Sequence, residues 1–467
     1  MLRQAFHSLR LILLVLVAAC TSLEPPGPGH PLIVGLPADP VFQQLSPPTE
    51  GLQGFSRDLV GLFAESLDVQ VKFVTAPDQP SLLALLKSGK VHMVAAIPDN
   101  DDHRGVLFSS TLKVTRQIIA QHADSLPVDT LEKLAGREIA VRPGAAQVQT
   151  LRALQLTPPP VIMEHNAVDE LELLEGLARR RFDLVATDDL HFSVAANAHP
   201  DLNIALTLPG KLGYAWAFDK NNEDLRERAQ HFIDITVADG TLGRLDDRYF
   251  GHIRRLDTKD IQTFLERVRS RLPGFRHDFH DAQEITGIDW RLIAAIAYQE
   301  SKWDPLATSF TNVRGMMMLT EDTADRLGVT NRLDAGQSIR AGAKYLMMLM
   351  DDLPPEMKQP DRLWFALAAY NLGMGHLRGA RSFAAGLKRD PNSWMDMKQV
   401  LPLMSRPEYY ERLKSGRARG GEAVILVENI RNYFDVLSRL EPIWTPPSMA
   451  NETPLKQKPG KKSARRR

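Results

Sequence analysis

The residue of this chain best placed to do chemistry is a carboxyl group at the end of an oily helix face. In Ala294-Ala295-Ile296-Ala297-Tyr298-Gln299-Glu300-Ser301-Lys302-Trp303-Asp304-Pro305, Ile296 and Ala297 lie four and three residues before Glu300, and Ile293 seven before it. All three share its face of a helix. Asp289 is the expected N-cap, ahead of Trp290-Arg291-Leu292-Ile293, and Asp304-Pro305 the expected stop. A carboxyl group on such a face loses hydration, which raises its pKa and keeps it protonated near neutrality. The negative end of the helix dipole pushes the same way. A proton donor fixed on a rigid element is what cleavage of a glycosidic bond requires. The ordinary reading of a lone Glu near a helix end is a solvated side chain, and spacing alone does not choose between the two.

The elements that must position this group form a helical domain. Residues 274–442 read as nearly all helix, with long apolar periodicity and short breaks, as in Ala341 to Met350 and Leu363 to Tyr370. Before it, residues 31–255 alternate strand-like and helix-like runs, the pattern of an α/β domain. Leu32 to Leu36, Val91 to Ala96 and Glu138 to Val141 are predicted strands. Leu59 to Ala64 and Leu82 to Leu86 are predicted helices, and Arg142-Pro143-Gly144 a tight turn. Between the domains, residues 256–273 carry Ile261, Phe264, Leu265 and Val268 at helical spacing, which predicts a linker helix.

The 467 residues have a formal net charge of zero, and the length allows two or three domains with cores of their own. Seven basic residues fall in the last twelve positions, so the remainder is mildly acidic and residues 443–467 read as a disordered basic tail. No nucleic-acid-binding motif accompanies that tail, and nucleic acid is not an expected partner. No His/Cys/Asp cluster has metal-ligand spacing, so neither metal nor cofactor is expected. At the other end, Arg3 and Arg10 precede the apolar run Leu11 to Val17 and the small residues Ala18-Ala19. This predicts an export signal over residues 1–20, too short to span a membrane as a mature helix. Residues 21–30, rich in Pro and Gly, follow as a tether. Cys20 is the single cysteine; it must be free, paired outside the chain or modified.

Three ordered segments of the helical domain carry a family likeness. Glu300-Ser301-Lys302-Trp303-Asp304-Pro305 to Ser309 with Gly315-Met316-Met317-Met318-Leu319, then Ala368-Ala369-Tyr370-Asn371-Leu372-Gly373, then Glu428-Asn429-Ile430-Arg431-Asn432-Tyr433 resemble the goose-type lysozyme-like domain of lytic transglycosylases. In the first domain, Gly54 to Leu59, Arg104 to Ser109, Leu134 to Glu138 and Phe182 to Asp188 resemble type-3 extracellular solute-binding proteins. The implied fold is an α/β two-lobed periplasmic solute-binding domain followed by an all-α lysozyme-like domain. This order resembles membrane-bound lytic transglycosylases of the F type over nearly the full length. Val17-Ala18-Ala19-Cys20 resembles a lipobox, which implies acylation of Cys20, and Thr21 implies sorting to the outer membrane, with the protein anchored at its periplasmic face. An ordinary cleaved signal with an incidental cysteine is the competing reading.

The resemblance implies a one-carboxyl mechanism on peptidoglycan glycan strands. Glu300 protonates the oxygen between N-acetylmuramic acid and N-acetylglucosamine. Its carboxylate then takes the proton of the muramoyl 6-hydroxyl, giving a 1,6-anhydromuramoyl end. A hydrolase would need a second carboxyl group, and the nearby Asp304, Glu321 and Asp322 are not obvious partners. Ser309, Met318, Tyr370, Asn371, Glu428 and Tyr433 fall on implied substrate-binding positions, Glu428 and Tyr433 equally on structural ones. Met318 departs from the glutamine of many relatives. In the first domain, Arg104 and Asp188 fall on the positions that hold a ligand's carboxylate and ammonium. Ala145-Ala146 departs from the usual hydroxyl residues there. The family likeness implies that this domain regulates, with a wall peptide (a muropeptide) as effector. The remaining non-enzymatic reading is an inert envelope receptor for solutes and glycan.

Overall fold

The computed structural model describes residues 23–43, 54–99, 105–166, 169–253, 256–309 and 312–445. Strands Leu32–Pro37 (β1), Val71–Ala76 (β2), Met93–Pro98 (β3), Val106–Phe108 (β4), Lys113–His122 (β5), Glu138–Val141 (β6), Val161–Glu164 (β7), Leu184–Asp188 (β8) and Leu202–Asp219 (β9) share one sheet. Their order is β2-β1-β3-β9-β5-β8-β6-β7, with β4 also on β9. The parallel strands β1, β3, β6 and β8 are short, apolar and largely buried, as strands covered by helices on both faces must be. Two strands belong to both halves. β5 and β9 pair antiparallel from Lys113 opposite Tyr214 to His122 opposite Leu202, with breaks in register near Arg116 and Ile119. The first half of the domain hangs on the Tyr214 end through β3, and the second on the other end through β8. The result is two lobes joined by two continuous strands.

The C-terminal part is helical and built on one core that runs from Ile261 to Leu437. Helix Trp290–Ser301 lies inside it, packed on helix Gly420–Leu440. The helix expected to link the domains, Thr258–Ser270, is part of this core and does not bridge open space. Phe264, fully buried, meets Tyr298, Tyr433 and Trp303 with ring centroids at 4.5, 4.6 and 5.7 Å. Burying such a ring contributes about 2–3 kcal/mol, enough to dock one side of an otherwise polar helix.

The domains meet through polar groups. From helix Gly420–Leu440, Arg431 donates to the carbonyls of Asp247 and Arg248 at 2.9 and 2.7 Å, in the last turn of helix Thr241–Phe250. Asn432, completely buried, donates to His252 O at 2.7 Å and accepts from Asn197 at 2.9 Å. Arg439 donates to Val194 O at 2.6 Å, near the end of helix Asp189–Ala196. Cationic donors at helix C-termini satisfy carbonyls that the helix leaves open and complement its dipole. Side-chain pairs add to these: Arg248 with Asp361 at 2.9 Å, His252 with Asp435 at 2.5 Å, and Lys398 with Asp247.

Candidate active site

Helix Trp290–Ser301 starts at Asp289, whose carboxylate accepts from Arg291 N at 2.8 Å and pairs with the Arg291 guanidinium at 2.6 Å. It ends earlier than Asp304-Pro305 alone predicts. Lys302 and Trp303 both take left-handed backbone, φ 55° and 56°, costly for residues with a Cβ and concentrated at functional sites. Trp303 is compensated by packing: its buried indole donates to Ala294 O at 2.8 Å, folding the turn back onto its own helix. Asp304 accepts from Leu306 N at 3.0 Å and shapes the next turn.

Glu300 is half-buried on the last turn, as its face predicts. Burial pushes its carboxyl up to about 7, and the Lys302 ammonium pulls it part of the way back. Lys302 is close in sequence but committed elsewhere, with its Nζ 4.6 Å from the Tyr298 ring centroid and 5.3 Å from that of Tyr433. Among the described residues, Lys302 carries the one charge that acts appreciably on Glu300.

The loop opposite is suspended from three helices. Ser301 donates to Met316 O at 2.9 Å, Tyr370 donates to Met317 O at 2.8 Å, and Met317 N donates to Ser338 Oγ at 3.1 Å. Gly315, at φ 85°, admits no other residue, because a Cβ there would lie 1.8 Å from Arg332 O. Tyr370 has therefore used its proton. Burial and then the Glu300 charge hold its hydroxyl well above the ordinary range, so toward Glu300 it offers lone pairs only.

The other expected site residues divide. Ser309 Oγ accepts from Val313 N at 3.2 Å and braces the loop that follows the Glu300 helix. Met318 is half-buried at φ 48°, on the suspended loop. Asn371 is exposed at the end of helix Asp361–Leu372, one residue beyond Tyr370. Glu428 and Tyr433, expected equally as substrate contacts or as structural support, are packed as structural groups. Glu428 is 5% exposed, accepts from Arg431 and Trp394 at 2.8 Å each, and lies 3.4 Å from Lys398. Burial alone would raise it, but the Arg431 and Lys398 cations outweigh that and hold it at about 2. Tyr433 is a buried ring against Phe264 and Tyr298. Ser301, Ser338 and the pair Asn429–Gln299 at 3.3 Å also support the site. Of these, Ser301 and Gln299 flank Glu300 in the sequence and Asn429 lies in the third motif, whereas Ser338 carried no signal.

The first domain holds a cleft of about 70 Å³ between its lobes, lined by Asp39, Arg142, Glu170, Asp188, His191 and Tyr214 among others. Asp188 needs correction as the group that holds an ammonium. One of its oxygens accepts from Leu190 N and His191 N at 2.8 and 3.0 Å, the other from Tyr214 at 2.6 Å with His191 Nδ1 at 2.8 Å. Burial works against its charge, and the His191 imidazolium more than offsets that. His191, bridged to Asp39 as well, is held protonated well above its ordinary range by those two carboxylates despite its burial. Arg142, at the predicted tight turn, brings a guanidinium into the cleft that sequence reasoning missed, with Nε buried and lacking a hydrogen-bond partner. Arg104 and Cys20 lie outside the described residues, as do residues 446–467 of the expected tail; Trp444, near its start, stacks on His280 with ring centroids at 4.5 Å and its carbonyl accepts from Gln283 at 3.0 Å. Among the described residues, His277, Asp278 and Asp281 have ligand-type atoms within 4.8 Å of one another, a surface cluster in which His277 and Arg340 already pair with Asp281.

Comparison with known proteins matches both halves. A family model described as Transglycosylase SLT domain covers residues 278–391, and one described as Bacterial extracellular solute-binding proteins, family 3, covers residues 32–252. The chain is 43% identical over 394 residues to the membrane-bound lytic murein transglycosylase F of Nitrosospira multiformis, spanning 84% of this chain and 82% of that one. It is 39% identical over 448 residues to the protein of the same name from Thiobacillus denitrificans, spanning 93% and 94%. Among solved structures, the substrate binding protein of an amino acid ABC transporter aligns with 47% of this chain and 99% of its own, at 22% identity and a TM-score of 0.41.

Proposed function

Since the chain belongs to the family of membrane-bound lytic murein transglycosylase F, an enzyme family acting on peptidoglycan, we propose that Glu300 carries out the cleavage and leaves 1,6-anhydromuramoyl ends. The protonated carboxyl gives its proton to the oxygen bridging N-acetylmuramic acid and N-acetylglucosamine as the bond from that oxygen to the anomeric carbon breaks. The resulting carboxylate takes the proton of the muramoyl 6-hydroxyl, whose oxygen bonds to the same carbon. Glu300 ends protonated, and no water is consumed. The observation that carries this reading is a carboxyl group with a pKa of about 7 on which no second carboxylate among the described residues acts appreciably. A group titrating near neutrality serves as acid and base in turn, whereas hydrolysis calls for a partner to activate water.

The first domain, on this reading, senses a small ligand such as a wall peptide. Its cleft supports this with charges of both signs: beside the committed Asp188 it is lined by Arg142, which also donates to Pro77 O, and by Glu170, whose carboxyl is pushed up by burial. Acylation of Cys20 would hold the protein at the periplasmic face of the outer membrane; radiolabelled palmitate should enter the unaltered protein and not Cys20→Ala. The primary test is mass spectrometry of products from purified murein treated with the full chain in detergent, beside Glu300→Gln. Anhydromuramoyl ends from the unaltered protein alone are expected. Reducing ends would replace this reading with hydrolysis, and absence of both with an inert receptor.

A further inference from the structure

Helix Ala335–Asp351 presents a row of residues to the suspended loop. Ser338 takes the Met317 N–H. Four residues on, Gly342 lies so close that an added Cβ would sit 2.7 Å from Met317 side-chain atoms. Three further on, Tyr345 continues the same face. Its ring centroid is 5.3 Å from that of Tyr370, at 57°, and Tyr370 in turn feels the Glu300 charge. Glu300, Tyr370 and Tyr345 thus form a row, with Met317 alongside.

Tyr345 is half-buried, and among the described residues its hydroxyl makes no hydrogen bond, unlike that of Tyr370. Phenylalanine would pack equally well there, and the hydroxyl is not among the buried unpartnered groups, so it is left open to water or a ligand. Met318, next after Met317 on the suspended loop, offers only a thioether, a weak acceptor with no proton to donate. The polymer that the proposed function brings to Glu300 carries an N-acetyl group on every sugar, a carbonyl that needs a donor once water is displaced.

We propose that Tyr345 positions the substrate, its ring lying against the apolar face of a sugar and its hydroxyl donating to that sugar's N-acetyl carbonyl. This rests on the transglycosylase reading for the identity of the glycan, but not on any step of the reaction. Tyr345 touches no reacting atom; it fixes the strand relative to Glu300.

The test uses binding, so that it stands apart from catalysis. Soluble murein glycan strands are titrated into full-length Glu300→Gln and into Glu300→Gln/Tyr345→Phe, with the same strands N-deacetylated as a second probe. Loss of one hydrogen bond predicts a three- to tenfold weaker Kd for the double variant, on acetylated strands only. Equal affinity of the two proteins for acetylated strands would overturn the proposal while leaving the product assay for Glu300 untouched. Equal weakening on both probes would also overturn it, since a merely structural tyrosine does not discriminate acetyl groups. No binding by Glu300→Gln at all would remove the proposal together with the reading of the cleft. In the otherwise unaltered chain, Tyr345→Phe should raise KM with kcat within about twofold, and a kcat effect with a shifted pH profile would point to Tyr370 instead.

Discussion

Two glutamates lie on packed helices of one domain, and their environments drive them in opposite directions. Glu428, at the interface between the domains, is surrounded by Arg431, Lys398 and Trp394 and stays ionised down to about pH 2. Glu300, at the end of its helix, has lost water without gaining a comparable partner, and titrates at about 7. Depth of burial does not separate them, because burial is the largest contribution at both and raises both. The partners decide. A carboxyl group surrounded by cations is fixed in one state and holds structure; one left with a distant ammonium and a spent phenol can change state and do chemistry.

The strongest way to break this comparison is Glu300→Gln, which should lower the rate of anhydromuramoyl release by about 10³-fold or more, since the proposed mechanism uses one group as both acid and base. Its thermal unfolding at pH 8 should not fall below that of the unaltered protein. Next comes Arg431→Met, which leaves Glu428 buried with less compensation and removes the donor to Asp247 and Arg248 carbonyls. A loss of about 3–5 kcal/mol in urea unfolding is expected, with turnover per folded molecule largely kept; a selective loss of turnover would move Glu428 back to the substrate.

The comparison sharpens in pH dependence of stability. Glu300 has a raised folded pKa, so its protonated form is the favoured one. The advantage of the unaltered protein over Glu300→Gln is complete below the unfolded value near 4.5 and is lost as pH rises through about 7. Glu428 has a depressed folded pKa, so its advantage over Glu428→Gln is complete above about 4.5 and is lost as pH falls toward 2. Unfolding free energies of the three proteins across pH 2–9 should show these opposite slopes. The smallest effect is that of Lys302→Met. Removing the one charge that lowers Glu300 should move the alkaline limb of the kcat profile upward, and a downward move would mean that Lys302 does not act through that charge.

The helix that carries Glu300 was legible because its apolar spacing marks both the face and the last turn. Its end was not, since two left-handed residues that are not glycine have no signature; Trp303 is stable there only because its indole reaches back to Ala294. The two-lobed α/β fold followed by a helical domain showed in the alternation of runs and in the family motifs. Glu428 shows the limit of a motif. Arg431 three residues later is visible in the sequence, but Lys398 and Trp394 arrive from another helix, and no spacing announces them. Asp188 repeats the lesson: its position matched, but the bond that commits it comes from Tyr214, 26 residues away on β9.

The contacts of Arg431, Asn432 and Arg439 with the carbonyls of Asp247, Arg248, His252 and Val194 have an evolutionary consequence. A main-chain oxygen is present whatever side chain is encoded, so at these bonds the first domain can change its residues without loosening its grip on the second. The donors have no such freedom. Arg431, Asn432 and Arg439 should therefore tolerate substitution poorly, and Val194 well wherever its own packing allows. Deep mutational scanning scored on soluble yield would show that asymmetry as one stringent side and one permissive side of a single seam.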